Sequence, residues 1–289
     1  MSHPSETPVI RLAPNVPVFD LPIQVAIAQG LFEREGVRVE FVARHDPLTS
    51  HRDAFQRQKE SLYEAGQADA YNLCEWAGLD RSDRSTRGSR VHALRPAVVA
   101  QVILSFDAAL QEPADLAGVP IGINEFTGSH YTVLQMLDGV LRREEVVLQH
   151  EGEPLVRYEA LKAGRLRAAA LMEPYVSLAL KEGAHIVAAS FYRGAEVISP
   201  ALPRATREAY LRAVDAAAAL IAADFDRYKQ QLITAPIQGR IAPHEIGNQF
   251  VRYAPSRPMD EARFAATTAW LRARDLAPAC TQYDSLVVA

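Results

Sequence analysis

Hydrophobic and polar positions near the start of the chain predict a strand, a helix and a second strand in succession. Apolar residues recur at helical spacing from residue 23 to residue 31 within a predicted helix at 23–35, and Pro22 suits a first helical turn. Apolar and charged side chains then alternate in a predicted strand at 37–43. With a strand predicted at 12–18, this segment forms a βαβ unit.

The alternation of strands and helices continues along the chain and predicts an α/β protein with two lobes. The further predicted elements are a helix at 53–65, strands at 70–73, 98–106, Pro120–Ile123 and 146–149, a helix at 129–142, segments at 158–163, 168–172, 174–182 and 186–189, and a long alanine-rich helix at 204–231. The first lobe is predicted to span 1–104 and, after the chain returns, 193–289. The second lobe is predicted to span 105–192.

Several segments resemble landmarks of a known family of binding proteins. Besides the opening βαβ unit, these are the Gly-x-x-Asp sequence at 66–69, the Asp-Leu-Ala-Gly entry within 112–123, the Ala-Leu-Lys-Ala-Gly segment within 158–180 and the closing helix at 270–276. In this order they resemble the ABC-transporter solute-binding proteins of the nitrate, sulfonate and taurine type, whose superfamily includes the thiamine-pyrimidine synthases. The resemblance implies a bilobal, type II periplasmic-binding-protein-like fold, in which a cleft separates two mixed-sheet lobes.

Composition and charge limit the classes of partner. The 289 residues are 48% hydrophobic, which suffices for a sizeable core, and the formal net charge is −4. The sequence has no basic stripe with interleaved aromatic residues and no run of about 18 apolar residues, so we expect neither nucleic acid binding nor membrane insertion. Histidines at metal-ligand spacing and phosphate-binding fingerprints are also absent from the sequence. We therefore expect a small-molecule ligand and no metal or cofactor.

The amino-terminal segment and the cysteines favour a cytoplasmic location. Residues 1–11 contain no cationic segment followed by an apolar run, so no secretory signal is predicted. Cys74 and Cys280 lie far apart in the sequence, which is compatible with a reducing compartment. A periplasmic location would apply if a leader had been removed, and a transporter permease is expected as a partner only if the protein is exported.

Candidate site residues are those at strand-to-helix junctions, because ligands of open α/β sheets sit outside the carboxyl ends of the strands. The junction at 124–130 passes from a strand through a Thr-Gly-Ser turn into a helix, whose free N–H groups suit a carboxylate, sulfonate or phosphate. The predicted ligand-binding residues here are Asn124, Phe126, Thr127, Gly128 and Ser129. Alternatively, Thr127 only caps the helix. His130 is either a site residue or a packing histidine.

The junction after the predicted strand at 70–73 brings together a thiol, a carboxylate and an indole. Cys74 is either a nucleophile, which requires a lowered pKa, or a small buried hydrophobic residue. Glu75 is either a general base or a partner for a ligand amine, or else a first-turn carboxylate that the helix dipole stabilises. Trp76 is expected to line a pocket or to pack in the core.

Other junctions add acidic and aromatic candidates. Glu173 would frame the cleft together with Glu75, and two such acids suit a ligand amine or can divide acid and base roles. Asp20 is either a third acid or a helix cap. The aromatic residues expected to pack against the apolar part of a ligand are Phe19, Trp76, Phe126 and Tyr175.

An arginine series is the other conspicuous feature of the sequence. It comprises Arg81, Arg84, Arg87, Arg90 and Arg95, in a stretch rich in Ser, Asp and Gly. The composition predicts a solvated loop, and the functional alternative is a basic lid or subunit contact.

Two functions from different classes fit these features. The first is binding of a small polar organic molecule, anionic or zwitterionic, in the interlobe cleft. The second is a cytoplasmic lyase or hydrolase on the same scaffold, with Cys74 or Glu75 as nucleophile or base and Glu173 as the complementary acid. In this second hypothesis the turn that ends at His130 would stabilise developing negative charge. The biphenyl-sulfinate desulfinases of the superfamily place a nucleophilic cysteine where this chain has Val16, so their chemistry is not expected.

Overall fold

The computed structural model describes residues 7–288, and its strands form one mixed sheet. Residues 1–6 and 289 lie outside this range, and with them much of the segment on which the location prediction rests. The nine strands within 7–288 are β1 Val9–Leu12, β2 Arg38–Phe41, β3 Ala70–Cys74, β4 Arg90–Ser105, β5 Pro120–Ile123, β6 Val147–His150, β7 Ala168–Leu171, β8 His185–Ile198 and β9 Val251–Tyr253. The α-helices are α1 Pro17–Ala28, α2 Leu31–Arg34, α3 Gln58–Glu64, α4 Glu75–Arg84, α5 Gly128–Leu137, α6 Pro154–Lys162, α7 Tyr175–Lys181, α8 Arg204–Ala223, α9 Glu261–Arg272 and α10 Tyr283–Leu286.

Two long antiparallel strands join the halves of the sheet. The strand order is β2-β1-β3-β8-β4-β7-β5-β6, and β9 pairs with β4. β1 is parallel to β2 and β3, and β5 is parallel to β6 and β7, whereas β8 is antiparallel to β3 and β4. The two parallel halves thus meet along β4 and β8, which confirms the predicted α/β fold of two joined lobes.

Proline residues begin two of the helices that follow parallel strands. Pro17 opens α1 and Pro154 opens α6, where a proline is tolerated because the first N–H of a helix has no partner inside it. α4 follows β3 directly, and α5 follows β5 after a short turn. Because these helices cross back over the sheet, their N-termini gather at the carboxyl ends of the strands.

Aromatic and aliphatic side chains hold the layers together. The rings of Phe32 and Tyr210 stack with centroids 5.6 Å apart and so fix α8 against α2. A separate, smaller cluster lies under the second half of the sheet, where Ile103, Ile121 and Val133 are fully buried.

Several predicted elements differ from the structure in their bounds, and two of them differ in type over part of their length. The strand predicted at 12–18 is wrong, because β1 ends at Leu12 and the fixed φ of Pro17 starts a helix. The helix predicted at 204–231 ends at Ala223, and Asp226–Leu232 forms a 3₁₀ helix instead.

The prediction of a solvated loop or a basic lid at 81–95 is wrong. This segment contains the end of α4 and the start of β4. Arg81 and Arg95 are fully buried and pair with Glu60 and Glu196, respectively. Buried arginines need such carboxylate partners, and both partners come from distant parts of the sequence.

The lobe boundaries stay a prediction. The boundary at 104/105 falls at the end of β4, and the boundary at 192/193 falls inside β8. Across residues 7–288, none of the helices combines the length and the apolar character that a membrane crossing requires.

Candidate functional site

A small polar cavity lies where strands of both sheet halves end, and we call it the cleft cavity. Its volume is about 50 Å³, and its walls include the last residues of β3 and residues that follow β1, β5, β6 and β7. Of the predicted site residues, those that line it are Phe19, Cys74, Asn124, Thr127 and Ser129. Sequence reasoning missed Asn15, Lys59, Glu153, Arg157, Met172 and Tyr192. The cavity has room for the polar head of a molecule rather than for a whole organic ligand.

Two further cavities adjoin the cleft cavity. One, of about 20 Å³, shares Asn15, Lys59 and Glu153 with it. The other, of about 440 Å³, shares Val16 and Pro154 with it and is mostly apolar; we call it the apolar chamber. A polar pocket and a larger apolar one thus share a wall.

The turn before α5 presents backbone N–H groups and hydroxyls to the cleft cavity. Thr127 Oγ1 donates to the Asn124 carbonyl at 2.8 Å, and Asn124 N donates to Ser129 Oγ at 2.9 Å. Neither hydroxyl caps the helix, although Thr127 occupies the N-cap position. The first N–H groups of α5 are therefore left for a ligand or water.

Gly128 and His130 shape this turn from opposite sides. A side chain at Gly128 would collide with the ring and hydroxyl of Tyr192, so only glycine permits this close approach. His130 Nδ1 accepts a hydrogen bond from Phe126 N at 3.0 Å, and burial lowers the pKa of His130 to about 4. His130 is thus a neutral residue that holds the turn, and it lines a different cavity, between α5 and α9.

Arg157 is a buried cation on the cleft wall. It is 1% exposed, and its Nε and Nη1 donate to the carbonyls of Ala170 and Gly152. Within residues 7–288, Nη2 donates to no acceptor and the guanidinium forms no ion pair with a carboxylate. Burial lowers the pKa of Arg157 to about 10, so the side chain remains charged at neutral pH. Attraction from Glu153 offsets only part of this burial cost, and an anion in the cleft cavity would offset more of it.

Glu153 adds a negative charge to the same cavity. Its Oε1 accepts from Asn124 Nδ2 at 3.2 Å, and its Oε2 lies 3.8 Å from His45 Nε2. Asn124 Oδ1 is buried without a partner in the described chain, so it can accept from a ligand or water. A cation and an anion one helical turn apart suit a zwitterion. The sequence analysis did not consider the junction between β6 and α6, which contains Glu153. Pro154, at the first position of α6, is the sequence signal that could have revealed it.

Asp20 supports the cleft without reaching it. Its Oδ2 accepts from Asn15 N at 2.6 Å and its Oδ1 accepts from Asn72 Nδ2 at 2.8 Å. These bonds hold Asn15 on the cavity wall, where its Oδ1 accepts from Lys59 Nζ at 3.2 Å. Asp20 is thus neither a ligand-facing acid nor a side-chain cap of α1.

Comparison with known structures identifies the fold of this chain. No protein-family model and no curated protein matches the chain. The alkanesulfonate-binding protein SsuA from Xanthomonas axonopodis pv. citri, bound to MOPS, matches with a TM-score of 0.77 and 17% identity over 99% of this chain and 100% of that chain. The periplasmic aliphatic sulphonate binding protein SsuA from Escherichia coli matches with a TM-score of 0.72 and 15% identity over 97% of this chain and 92% of that chain. This chain has the periplasmic-binding-protein fold.

The same fold includes an enzyme among the similar structures. The desulfurization enzyme DSZB matches with a TM-score of 0.64 and 15% identity over 96% of this chain and 95% of that chain. The fold alone therefore does not distinguish a binding protein from an enzyme. The distinction depends on the side chains of the cleft.

Within this periplasmic-binding-protein fold, Cys74 lines the cleft cavity but is a poor nucleophile. Burial raises the pKa of its thiol to about 12, although the backbone N–H of Ala77 opposes the shift. The thiolate, which is the reactive form, is therefore almost absent at neutral pH.

Glu75 and Trp76 point away from the cleft cavity. The Glu75 carboxylate accepts from Arg263 Nε at 3.0 Å and from Arg263 Nη2 at 2.5 Å, in a pocket on another face. Trp76 is buried, with its ring centroid 5.7 Å from that of Tyr131 and 6.1 Å from that of Trp270. Trp76 is thus a core residue, and the prediction that Glu75 and Glu173 frame one cleft is not met.

The remaining predicted residues lie around the apolar chamber or outside the cleft. Glu173 and Tyr175 line the apolar chamber. Phe126, with φ of 55°, contributes its carbonyl to Arg81 Nη2 at 2.9 Å, and its ring packs on His130. Nowhere in residues 7–288 are three His, Cys, Asp or Glu side chains grouped to hold a metal ion.

We expect Glu173→Gln to flatten the pH dependence of stability. Burial raises the pKa of Glu173 to about 7, against hydrogen bonds from Ser177 and a more distant attraction from Lys229. The folded protein thus holds this proton more tightly than the unfolded chain does. The free energy of unfolding should fall by up to about 3 kcal/mol as the pH rises from about 5 to 8, and this fall should be lost in the variant. Urea unfolding at each pH measures the difference, and parallel curves for the two proteins would contradict it.

Proposed function

We propose that this protein binds a small organic anion or zwitterion in the interlobe cleft, in the manner of a solute-binding protein. The observation that carries the proposal is the buried guanidinium of Arg157, which has no carboxylate partner among residues 7–288 and faces a cavity between the lobes. A planar guanidinium suits a carboxylate, sulfonate or phosphate, to which it donates paired hydrogen bonds.

Several donors converge on the head of such a ligand. Lys59 supplies a second positive charge, and the start of α5 supplies N–H groups whose helix dipole favours an anion. Glu153 supplies the opposite charge and would bind an amine of a zwitterion. Charges of both signs on one wall support a zwitterionic ligand, with a simple anion as the broader class.

The apolar chamber suits the rest of the ligand. Its 440 Å³ are bounded mainly by apolar groups, among them Pro17, Leu155 and Tyr175. Burial of apolar surface there would add to the affinity that the head group provides. The similar alkanesulfonate-binding protein from Xanthomonas axonopodis is bound to MOPS, which supports an organic anion as the ligand class.

The side chains favour binding over the lyase or hydrolase alternative. The Cys74 thiol is protonated and Glu75 is paired with Arg263 outside the cleft, so neither supports a nucleophile or base there. The cytoplasmic location stays a prediction, as does the permease partner of an exported form.

Native mass spectrometry of freshly purified protein, followed by denaturing release, tests the proposal. We expect near-stoichiometric recovery of one small acidic molecule from the wild type and equally from Cys74→Ser, because binding does not use the thiol. For protein purified empty, calorimetric titration with MOPS should show saturable binding at one site.

Two outcomes would contradict binding as the function. One is the release of two molecules that differ by a fixed chemical change from the wild type but not from Cys74→Ser, which would indicate turnover. The other is empty protein that gives no saturable heat with MOPS or with taurine.

A further inference from the structure

A second pocket, on a different face from the cleft, is lined by four arginines. Its volume is about 400 Å³, and we call it the hinge pocket. The arginines are Arg193, Arg252, Arg257 and Arg263. Tyr192 forms part of the walls of both the hinge pocket and the cleft cavity.

An irregularity in the two long strands creates this pocket. Leu94 of β4 pairs with Ala195, but Val98 pairs with Arg193, so three residues of β4 stand opposite the single residue Gly194 of β8. From Gly194 onward β8 also pairs with β3, whereas β4 pairs with β7 only beyond the bulge. The hinge pocket therefore lies where the strands pass from one half of the sheet to the other.

Positive charge exceeds negative charge in the hinge pocket. Four arginines and two carboxylates, Glu75 and Asp260, give a formal net charge of +2. Glu75 is engaged by Arg263, and Asp260 accepts from the backbone N–H of Arg263 at the start of α9. No ion pair to Arg193, Arg252 or Arg257 occurs in the described part of the chain.

The fold holds these like charges close together. Arg193 Nη1 donates to the carbonyls of Arg95 at 3.1 Å and Pro255 at 2.9 Å, which fixes the guanidinium beside the bulge. Burial lowers the pKa of Arg193, repulsion from Arg257 and Arg252 lowers it further, and a weaker attraction from Asp215 opposes these shifts. Such a cluster is unfavourable without an anion and becomes favourable when one binds.

An exposed aromatic ring completes the hinge pocket. Phe191 is 49% exposed, and the guanidinium of Arg252 lies 5.8 Å from its ring centroid. A ring of this size left in water beside cations offers a face on which a planar group can pack.

We propose that the hinge pocket binds a phosphate monoester that carries an aromatic or other planar group. A phosphate monoester carries close to two negative charges at neutral pH, which matches the formal charge of the pocket. Its oxygens accept paired hydrogen bonds from Arg252 and Arg257, the two arginines of the hinge pocket that are exposed and form no ion pair within residues 7–288. The planar group packs on Phe191. This site is independent of the ligand proposed for the cleft.

Calorimetric titration of the full chain with phenyl phosphate at low ionic strength tests this proposal. We expect saturable binding to the wild type that weakens at least about tenfold in Arg252→Gln/Arg257→Gln, because two charge-assisted contacts are lost. The matched control is Arg38→Gln/Arg272→Gln, which removes two exposed arginines elsewhere and should bind as the wild type does. The cleft variant Arg157→Met should also bind phenyl phosphate normally.

Four outcomes would overturn the proposal. These are no saturable binding of phenyl phosphate, equal binding by Arg252→Gln/Arg257→Gln, loss of binding in Arg157→Met, and equally tight binding of succinate. The third would place the phosphate in the cleft, and the fourth would make a dicarboxylate the ligand class. Loss of MOPS binding in Arg157→Met together with retained phenyl phosphate binding separates the two sites.

Discussion

Replacing Arg157 by methionine is expected to weaken binding of an anionic ligand in the cleft strongly while changing the free energy of unfolding little. The guanidinium is buried and forms no ion pair with a carboxylate in residues 7–288, so attraction from Glu153 compensates its desolvation only in part in the empty protein. The substitution relieves this desolvation cost, but it also removes the hydrogen bonds to the Ala170 and Gly152 carbonyls. The two effects on the free energy of unfolding therefore oppose each other. In the complex, by contrast, the ligand loses its charged partner, which should cost about 2–5 kcal/mol of binding free energy.

Calorimetry with MOPS or the co-purified molecule measures the affinity, and urea unfolding measures the stability. Arg157→Lys keeps the charge without the paired donors and should bind with intermediate affinity. Arg212→Met removes an exposed arginine that pairs with Glu35 and should leave the affinity unchanged. Unchanged affinity in Arg157→Met would show that the buried guanidinium does not contribute to ligand binding.

Local sequence patterns could predict the fold and one wall of the cleft. The strand at Pro120–Ile123 and the junction that follows it are visible in the sequence, because a short apolar run ends in a Thr-Gly-Ser turn. The general rule that ligands bind at strand carboxyl ends then brings Asn124 and Thr127 to the cleft cavity.

Arg157 could not be predicted in the same way. Its burial depends on β7, whose Ala170 carbonyl accepts from its Nε, and on the arrangement of both lobes around it. In the sequence it is an arginine near the start of an amphipathic segment, and such arginines are mostly exposed.

Glu75 shows how the direction of one side chain decides its role. Cys74 and Glu75 are neighbours at the end of β3, yet Cys74 faces the cleft cavity and Glu75 faces the hinge pocket. The chain passes from β3 into α4 between these two residues, so their side chains point in different directions, and Arg263, the partner of Glu75, is 188 residues away in the sequence. Proximity in the sequence therefore gave the wrong partner for this carboxylate.

Replacing Arg81 by methionine is expected to destabilise the protein strongly. Arg81 and Glu60 are both fully buried, and Arg81 Nε lies 3.3 Å from Glu60 Oε1. Removing the cation leaves the Glu60 carboxylate buried without it, which should cost about 3–5 kcal/mol. The variant also loses the bond from Nη2 to the Phe126 carbonyl, which ties α4 to the turn before α5. Urea unfolding followed by circular dichroism measures the change.

The burial of the pair, rather than the loss of an arginine as such, causes this effect. In Arg81→Met/Glu60→Gln no uncompensated charge is left at this position, so most of the lost stability should return. Arg81 Nη1 also donates to Asp80, which keeps Arg84 as a partner at 3.4 Å in either variant. Arg204→Met breaks an exposed pair with Glu208 and should change the free energy of unfolding little, because water screens that pair. A cost for Arg81→Met as small as that of Arg204→Met would mean that water reaches Glu60 and would contradict this explanation.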